Sequence, residues 1–388
     1  MATHTVQDFL SIDSTLPQEE RDIRDTVRAF VRDRITPNVA EWFEAGRPPA
    51  DLMPELGKLG VLGMHLDGYG CAGTSATAYG LACLELEAGD SGIRSLVSVQ
   101  GSLAMYAIHK WGSEEQKQEW LPRMAAGEAI GCFGLTEPDS GSDPGSMRTN
   151  ARRDGRDWIL NGAKMWITNG TLADVAVVWA RTDEGIRGFL IPKDTPGFSA
   201  NEIHSKLSLR ASVTGELILD NVRLPDSARL PGATSLRGPL SCLNEARYGI
   251  VWGAIGAARA CMEAAVEYST TRTQFGKPIG GFQIQQEKIA RMAVEVNRGT
   301  LLALHLGRLK DNGEIRPEHV SLGKLSNVNS ALEVARTARQ VLGANGVTLE
   351  YPVMRHLVNL ETVVTYEGTA DIHALVVGGE MTGLNAFR

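Results

Sequence analysis

Cys132-Phe133-Gly134-Leu135-Thr136-Glu137-Pro138-Asp139-Ser140-Gly141-Ser142-Asp143-Pro144 is the stretch at which the chain changes character. Before it, apolar residues recur at helical spacing; after it, they fall in short runs rich in β-formers. The stretch itself is dense in hydroxyls and turn formers, and its glycines leave backbone N–H groups open to a planar heterocycle or a pyrophosphate. A ligand-binding loop and a plain Gly/Ser turn into a β region both fit it.

Working toward the N-terminus, Ile23, Val27, Phe30, Val31 and Ile35 form one helical stripe behind Thr15-Leu16-Pro17-Gln18, where Thr precedes Gln by three residues. This helix is expected to end near Pro37. Stretches 52–62, 76–87, 95–110 and 114–124 suit further helices, separated by Gly68-Tyr69-Gly70-Cys71-Ala72-Gly73 and Gly89-Asp90-Ser91-Gly92. Residues 1–130 therefore read as an all-α domain.

Working toward the C-terminus, 158–160, 175–180, 188–191 and 216–219 read as strands, with Asn161-Gly162 as a hairpin signal. A small antiparallel sheet or barrel is expected over 131–235. After Pro231 the helical period returns: Ile250, Ala254, Ala258, Met262 and Ala265 form one stripe, and Ile289, Met292 and Val296 another. Leu325, Val328, Leu332, Ala335 and Leu342 form a third, closed by Gly343. Residues 236–388 are long enough for a four-helix bundle.

Composition narrows the function classes. The 388 residues are 43% apolar and 22% charged, as in a folded globular protein. A net charge of −7 without a run of like charges offers no basic face to nucleic acid, so no such partner is expected. The five cysteines are scattered without a CxxC pair, which fits reduced thiols. No stretch reads as a targeting segment or reaches the ~18 apolar residues of a membrane span. A cytoplasmic location without membrane contact is the expectation, although a mature mitochondrial matrix protein reads the same way.

Gly68-Tyr69-Gly70-Cys71-Ala72-Gly73 matches GxGxxG, with Glu87 and Asp90 following, yet its flanks read as helices and no βαβ unit surrounds it. It is expected to be an interhelical turn. Asp139-Ser140-Gly141-Ser142-Asp143 begins like a calcium loop but reaches Asn150 where a bidentate Glu belongs. No HExxH, phosphate loop or GxSxG elbow occurs, so no metal is expected.

Two further segments carry chemistry. Trp166-Ile167-Thr168-Asn169 offers a flat aromatic face and a hydroxyl beside the loop. Thr365-Tyr366-Glu367-Gly368-Thr369 interrupts two helical patterns, with Thr369 as an N-cap. A carboxylate on such a junction, if turned into a cavity, gains the raised pKa of a general base; turned outward, it is an ordinary loop Glu.

CFGLTEPDSGSDPGSM (132–147), KMWITNG (164–170), RTQFGKPIGGFQ (272–283), QVLGANG (340–346) and TYEGTADIHALVVGGEMTG (365–383) together resemble the acyl-CoA dehydrogenase family in order and spacing. The likeness runs along almost the whole chain. Within the family it points to the glutaryl-CoA dehydrogenase branch, through YGCAGTSATAYG, LELEAGDSGIRSLVSVQGSL, HSKLSLRASVTGE and CLNEARYGI. The resemblance implies an α-helical N-terminal domain, a central β domain and a C-terminal four-helix bundle, and FAD-dependent α,β-dehydrogenation of a CoA thioester.

By the same resemblance, Glu367 removes the α-proton, and its own backbone N–H is one donor to the developing enolate oxygen. Phe133, Leu135, Thr136, Gly141, Ser142, Trp166, Ile167, Thr168, Gly368 and Thr369 would hold FAD. Arg272, Phe275, Gln283, Gln340 and Gly343 would meet the FAD of a neighbouring subunit, which implies a homo-oligomer, a dimer of dimers in the usual case. CoA would contact Ser142, Leu243, Asn244 and Arg247. Electron-transfer flavoprotein is the implied partner.

Arg94 and Ser95 match the position that holds the distal carboxylate of a dicarboxylyl substrate, with Glu87 to orient Arg94 and Tyr366 beside the base. A forked guanidinium suits that task. The plain alternative is a Glu87–Arg94 surface ion pair. Oxidative decarboxylation of glutaryl-CoA to crotonyl-CoA is the implied reaction. The family's TYEGTHDIHAL here reads TYEGTADIHAL, with Ala370 in place of His. That departure keeps open oxidation without CO2 loss, or enoyl reduction, of adipyl-CoA or another longer dicarboxylyl- or acyl-CoA. A catalytically silent flavin- or acyl-CoA-binding protein on the same scaffold is the alternative from another class, and it requires an absent base.

Overall fold

A computed structural model describes residues 8–387. The helical N-terminal region contains α1 (Gln18–Phe30), α2 (Val39–Ala45), α3 (Leu52–Leu59), α4 (Ala76–Gly89), α5 (Ser91–Ser98), α6 (Tyr106–Trp111) and α7 (Glu114–Ala125). α1 runs on through a π-helical turn, Val31–Ile35, and α5 joins α6 through another, Val99–Met105. Pro17 starts α1, while the Thr15 hydroxyl donates to the Ile12 carbonyl at 2.7 Å, so Thr15 and Gln18 form no capping box. The GxGxxG stretch is the interhelical turn expected of it, between α3 and α4.

The central sheet comprises β1 (Gly131–Gly134), β2 (Asn150–Asp154), β3 (Asp157–Thr168), β4 (Val175–Thr182), β5 (Gly185–Pro192), β6 (Phe198–Glu202) and β7 (Thr214–Pro225). Its order is β1-β4-β2-β3-β7-β6, with β5 paired to β4. The sheet is mixed rather than wholly antiparallel, because β1 runs parallel to β4. The β2–β3 excursion between them supplies the length that a parallel connection needs.

Asn161-Gly162 is not a hairpin tip. It lies inside β3, where the register against β7 slips between Leu160 and Gly162. Gly162 adopts φ 147°, and a Cβ there would stand 2.4 Å from the Thr149 hydroxyl. The dipeptide therefore marks a bulge against a close neighbour, while Gly155-Arg156 makes the β2–β3 turn.

The C-terminal region holds α8 (Arg237–Thr271), α9 (Gln283–Asp311), α10 (Pro317–Leu342), α11 (Pro352–Val363) and α12 (Ala370–Thr382). Among the described residues, α8 alone is long and apolar enough to cross a membrane, yet 72% of its most apolar window is buried within the protein. Ile250, Ala254, Ala258, Met262 and Ala265 are its inward stripe. One hydrophobic core joins α8 and α10 to α1, α3, α4 and α5, so the bundle and the N-terminal helices fix each other's positions.

Candidate active site

α4 and α5 meet at Asp90, whose carboxylate accepts from Gly92 N at 2.6 Å and caps α5. Asp90 is gripped in turn by Arg355 and by Asn359 at 2.9 Å, both from α11. This junction fixes the direction in which α5 presents Arg94 and Ser95.

Arg94 Nε donates to Glu87 Oε2 at 2.6 Å, and both side chains are almost wholly buried. The surface-pair alternative therefore falls. Arg94 Nη2 donates to the Tyr366 hydroxyl, which lies 3.0 Å from Ser95 Oγ. Arg94 Nη1 and Glu87 Oε1 are buried without a hydrogen-bond partner. Burial pushes the Glu87 carboxyl up, with Arg94 opposing. A buried guanidinium with one unused N–H group is a receptor for a second anion, since a lone buried charge in that place is costly.

Between α11 and α12 the chain makes a tight turn, closed by Thr369, whose hydroxyl accepts from Ile372 N at 3.2 Å. At its centre Glu367 adopts φ 53°, the left-handed region that non-glycine residues seldom enter. The turn's carbonyls are held from behind. Lys324 Nζ donates to the Tyr366 and Gly368 carbonyls, each at 2.6 Å, and Arg247 Nε donates to the Glu367 carbonyl at 2.6 Å. Among the described residues the Glu367 N–H has no acceptor, and Glu367 Oε2 is buried without a partner. Burial raises the Glu367 pKa, against the pull of Arg94, Lys324 and Arg247. A raised carboxylate beside a free N–H can take a proton and stabilise the oxyanion that results.

In the central region, Glu137 anchors the TEPDSGSD loop by accepting from Arg148 N at 2.6 Å, Thr149 N at 2.9 Å and the buried Lys164 Nζ at 2.7 Å. Phe133, Leu135 and Ile167 point into the hydrophobic cores and wall the loop from below. Thr136 and Thr168 are half-buried, and Gly141 and Ser142 are exposed, with N–H groups that no acceptor among the described residues engages. Trp166 is 58% exposed at φ 64°, turned out of β3 where the register slips again between Lys164 and Ile167. An outward indole and open N–H donors fit the edge of a planar ring system such as the isoalloxazine of FAD.

Arg272, Phe275, Gln283, Gln340 and Gly343 gather at the other end of the bundle, all exposed, with Phe275 95% accessible. Gln340 lies roughly 24 Å further along α10 than Lys324 at the helical rise. Leu243, Asn244 and Arg247 lie on α8, with Arg247 Nη1 donating to Asn244 Oδ1 at 3.2 Å. Arg247 is thus engaged with the base turn and Asn244. Ala370 opens α12 and lies with Lys324, Leu325, Val328, Asn329, Val364 and His373 around a shallow crevice too small for a water molecule, on the α10 side of the turn.

Sequence reasoning did not single out Lys324, Asp90, Glu137 or Lys164. Lys324 carried a signal, because it interrupts the buried α10 stripe Val320, Val328 and Ala331 at helical spacing.

Comparison with known proteins agrees with this geometry. The chain matches the acyl-CoA dehydrogenase N-terminal domain over residues 17–128, the middle domain over 132–222 and the C-terminal domain over 237–382. The crystal structure of glutaryl-CoA dehydrogenase from Mycobacterium smegmatis is 69% identical, with TM-score 0.98 and 99% of each chain covered. A second glutaryl-CoA dehydrogenase structure from that organism, in complex with FADH2, is 64% identical over the whole of both chains, again with TM-score 0.98. The mitochondrial short-chain specific acyl-CoA dehydrogenase of Bos taurus is 36% identical over 393 residues, 99% of this chain and 94% of the relative. With all three domains matched in order along residues 17–382, the chain belongs to the acyl-CoA dehydrogenase family.

Proposed function

We propose that this protein is an FAD-dependent dehydrogenase of a dicarboxylyl-CoA thioester, oxidising glutaryl-CoA to crotonyl-CoA and CO2 and passing electrons to electron-transfer flavoprotein. The observation that carries the specificity is the buried Arg94 guanidinium, oriented by Glu87 and Tyr366, with Nη1 left over for a substrate carboxylate.

Glu367 takes the α-proton of the thioester, and the N–H of the same residue donates to the thioester oxygen as negative charge builds there. FAD, when bound, accepts the β-hydrogen as hydride; Thr136, Gly141, Ser142, Trp166, Thr168 and Thr369 would hold it. Arg94 keeps the distal carboxylate fixed during this step. That carboxylate then leaves as CO2, its C–C electron pair entering a dienolate that protonated Glu367 reprotonates. The exposed cluster from Arg272 to Gly343 supports a homo-oligomer in which each subunit completes its neighbour's FAD site. A cytoplasmic location belongs to the same proposal.

Ala370 favours a second reading, a longer dicarboxylyl substrate such as adipyl-CoA oxidised without CO2 loss, because a small residue stands where the branch has His. Anaerobic titration of the purified flavoprotein with glutaryl-, adipyl- and butyryl-CoA, followed by product analysis, tests both. Bleaching with glutaryl-CoA and release of CO2 and crotonyl-CoA is expected. Preferential bleaching by adipyl-CoA without CO2 would favour the second reading, and no bleaching by any thioester would favour a silent flavin-binding protein.

A further inference from the structure

The cations behind the base turn do more than hold it. Tyr366, Glu367 and Gly368 present three successive carbonyls, and each accepts a short hydrogen bond from a positively charged side chain. Lys324 alone takes two of them, one on either side of Glu367. It is 2% exposed, sits on α10 and is approached by Arg94, Arg247 and Glu367, with His373 of α12 and the Tyr366 ring beside it. Its hydrogen bonds go to backbone oxygens, and no ion pair engages it among the described residues. Burial lowers the pKa of this amine, and Glu367 opposes that shift. A buried lysine bonded to carbonyls rather than a carboxylate is an expensive way to fasten a loop. A methionine of similar length would pack as well.

The peptide between Tyr366 and Glu367 gives the reason. Its carbonyl oxygen is bonded to Lys324, and its N–H is the free donor of Glu367. Peptide resonance links the two ends, so a cation drawing electrons toward the oxygen makes the N–H a stronger donor. From this geometry we infer that Lys324 is a positioning residue for proton abstraction: it fixes the left-handed turn at Glu367 and polarises the peptide whose N–H stabilises the enolate. The inference rests on the proposed α-deprotonation and names a residue that acts through the amide, touching neither substrate nor FAD. The bond changes are simple: the substrate Cα–H breaks, its proton joins the Glu367 carboxylate, and the electron pair moves to the thioester oxygen opposite the polarised N–H.

The test compares Lys324→Met, Lys324→Gln and Lys324→Arg holoenzymes with wild type. The first readout is the enolate fraction of bound acetoacetyl-CoA against pH, followed by its ultraviolet absorbance; the second is kcat for the preferred acyl-CoA. Met is expected to shift enolisation of the bound probe to higher pH and to lower kcat by roughly ten- to a hundredfold, short of the loss seen on deleting an oxyanion donor outright. Gln is expected to follow Met, and Arg to recover most of both readouts, with FAD content and KM moving little. Should Met fail to accumulate as holoenzyme, the Gln and Arg variants carry the same comparison. Lower thermal stability with unchanged enolisation and kcat would make Lys324 a plain structural anchor and overturn the inference. Wild type that neither enolises the probe nor oxidises any acyl-CoA overturns the proposed function and this inference with it. Wild type that does both, with the uncharged variants within twofold of it, overturns the inference alone.

Discussion

Gly253 of α8 faces Glu87 of α4 so closely that a Cβ would lie 2.0 Å from Glu87 Oε2 and 3.1 Å from Arg94 Nε. The ion pair fits only because that position carries no side chain. Gly253→Ala should therefore push Glu87 off Arg94 as well as overpack the helix contact, at about 1–3 kcal/mol. The expected result is a lower Tm together with loss of preference for glutaryl- over butyryl-CoA. A variant that loses stability while keeping that preference would show that Glu87 does not set the direction of Arg94.

Arg94→Gln isolates the clamp itself. Gln keeps a donor but removes the charge, so the distal carboxylate loses a charge-assisted bond of about 1.5–3 kcal/mol. The kcat/KM for glutaryl-CoA should fall roughly ten- to a hundredfold more than that for butyryl-CoA, which has no second carboxylate. Equal losses on both substrates would remove Arg94 as the source of specificity.

Glu367→Gln should retain FAD and bind acyl-CoA while losing about 10² to 10⁴ in the rate of flavin bleaching, the usual worth of a positioned base. The wild-type pH profile follows from the direction of the Glu367 shift. Burial raises its pKa, the base works only when ionised, and so the single-turnover rate should climb with pH to a midpoint above that of an ordinary glutamate. A midpoint at or below the ordinary value would mean that Arg94, Lys324 and Arg247 outweigh burial.

The architecture was legible because periodicity reports burial, and the buried stripes of α8 and α10 lie where the spacing puts them. Glu367 was legible only as one of two readings, since a loop glutamate turned inward and one turned outward have the same sequence. Asn161-Gly162 misled because a glycine serves a hairpin turn and a bulge alike, and only the register slip against β7 and the approach of Thr149 decide between them. The parallel β1–β4 pairing was hidden for a related reason: strand direction is set by a partner distant in sequence, and Gly131–Gly134 is too short to show alternation. Asp90 and Glu137 accept from backbone N–H groups, which leave no pattern among side chains, whereas Lys324 shows in the sequence only as a polar break in the apolar stripe of α10.

The helix that carries Glu87 is itself tied down two residues earlier, and that anchor gives the fold an acid-labile point. Glu85 of α4 is 1% exposed and receives Arg259 Nη1 at 2.8 Å and Nη2 at 2.6 Å, with Arg28 Nη2 at 3.0 Å. Burial pushes its carboxyl up, but the two guanidiniums more than offset this and bring the pKa down to about 2. A folded pKa below the unfolded value means that stability is fully present above pH ~4.5 and is lost as pH falls toward 2. Glu85→Gln strands the buried Arg259 and removes a partner from the half-buried Arg28, and should cost roughly 3–5 kcal/mol at neutral pH, as does breaking other buried pairs. The gap in Tm between variant and wild type should then close as pH is lowered from 5 to 3, because wild type alone loses this contribution. A gap that stays constant across that range would show that Glu85 stabilises α4 by packing rather than by charge.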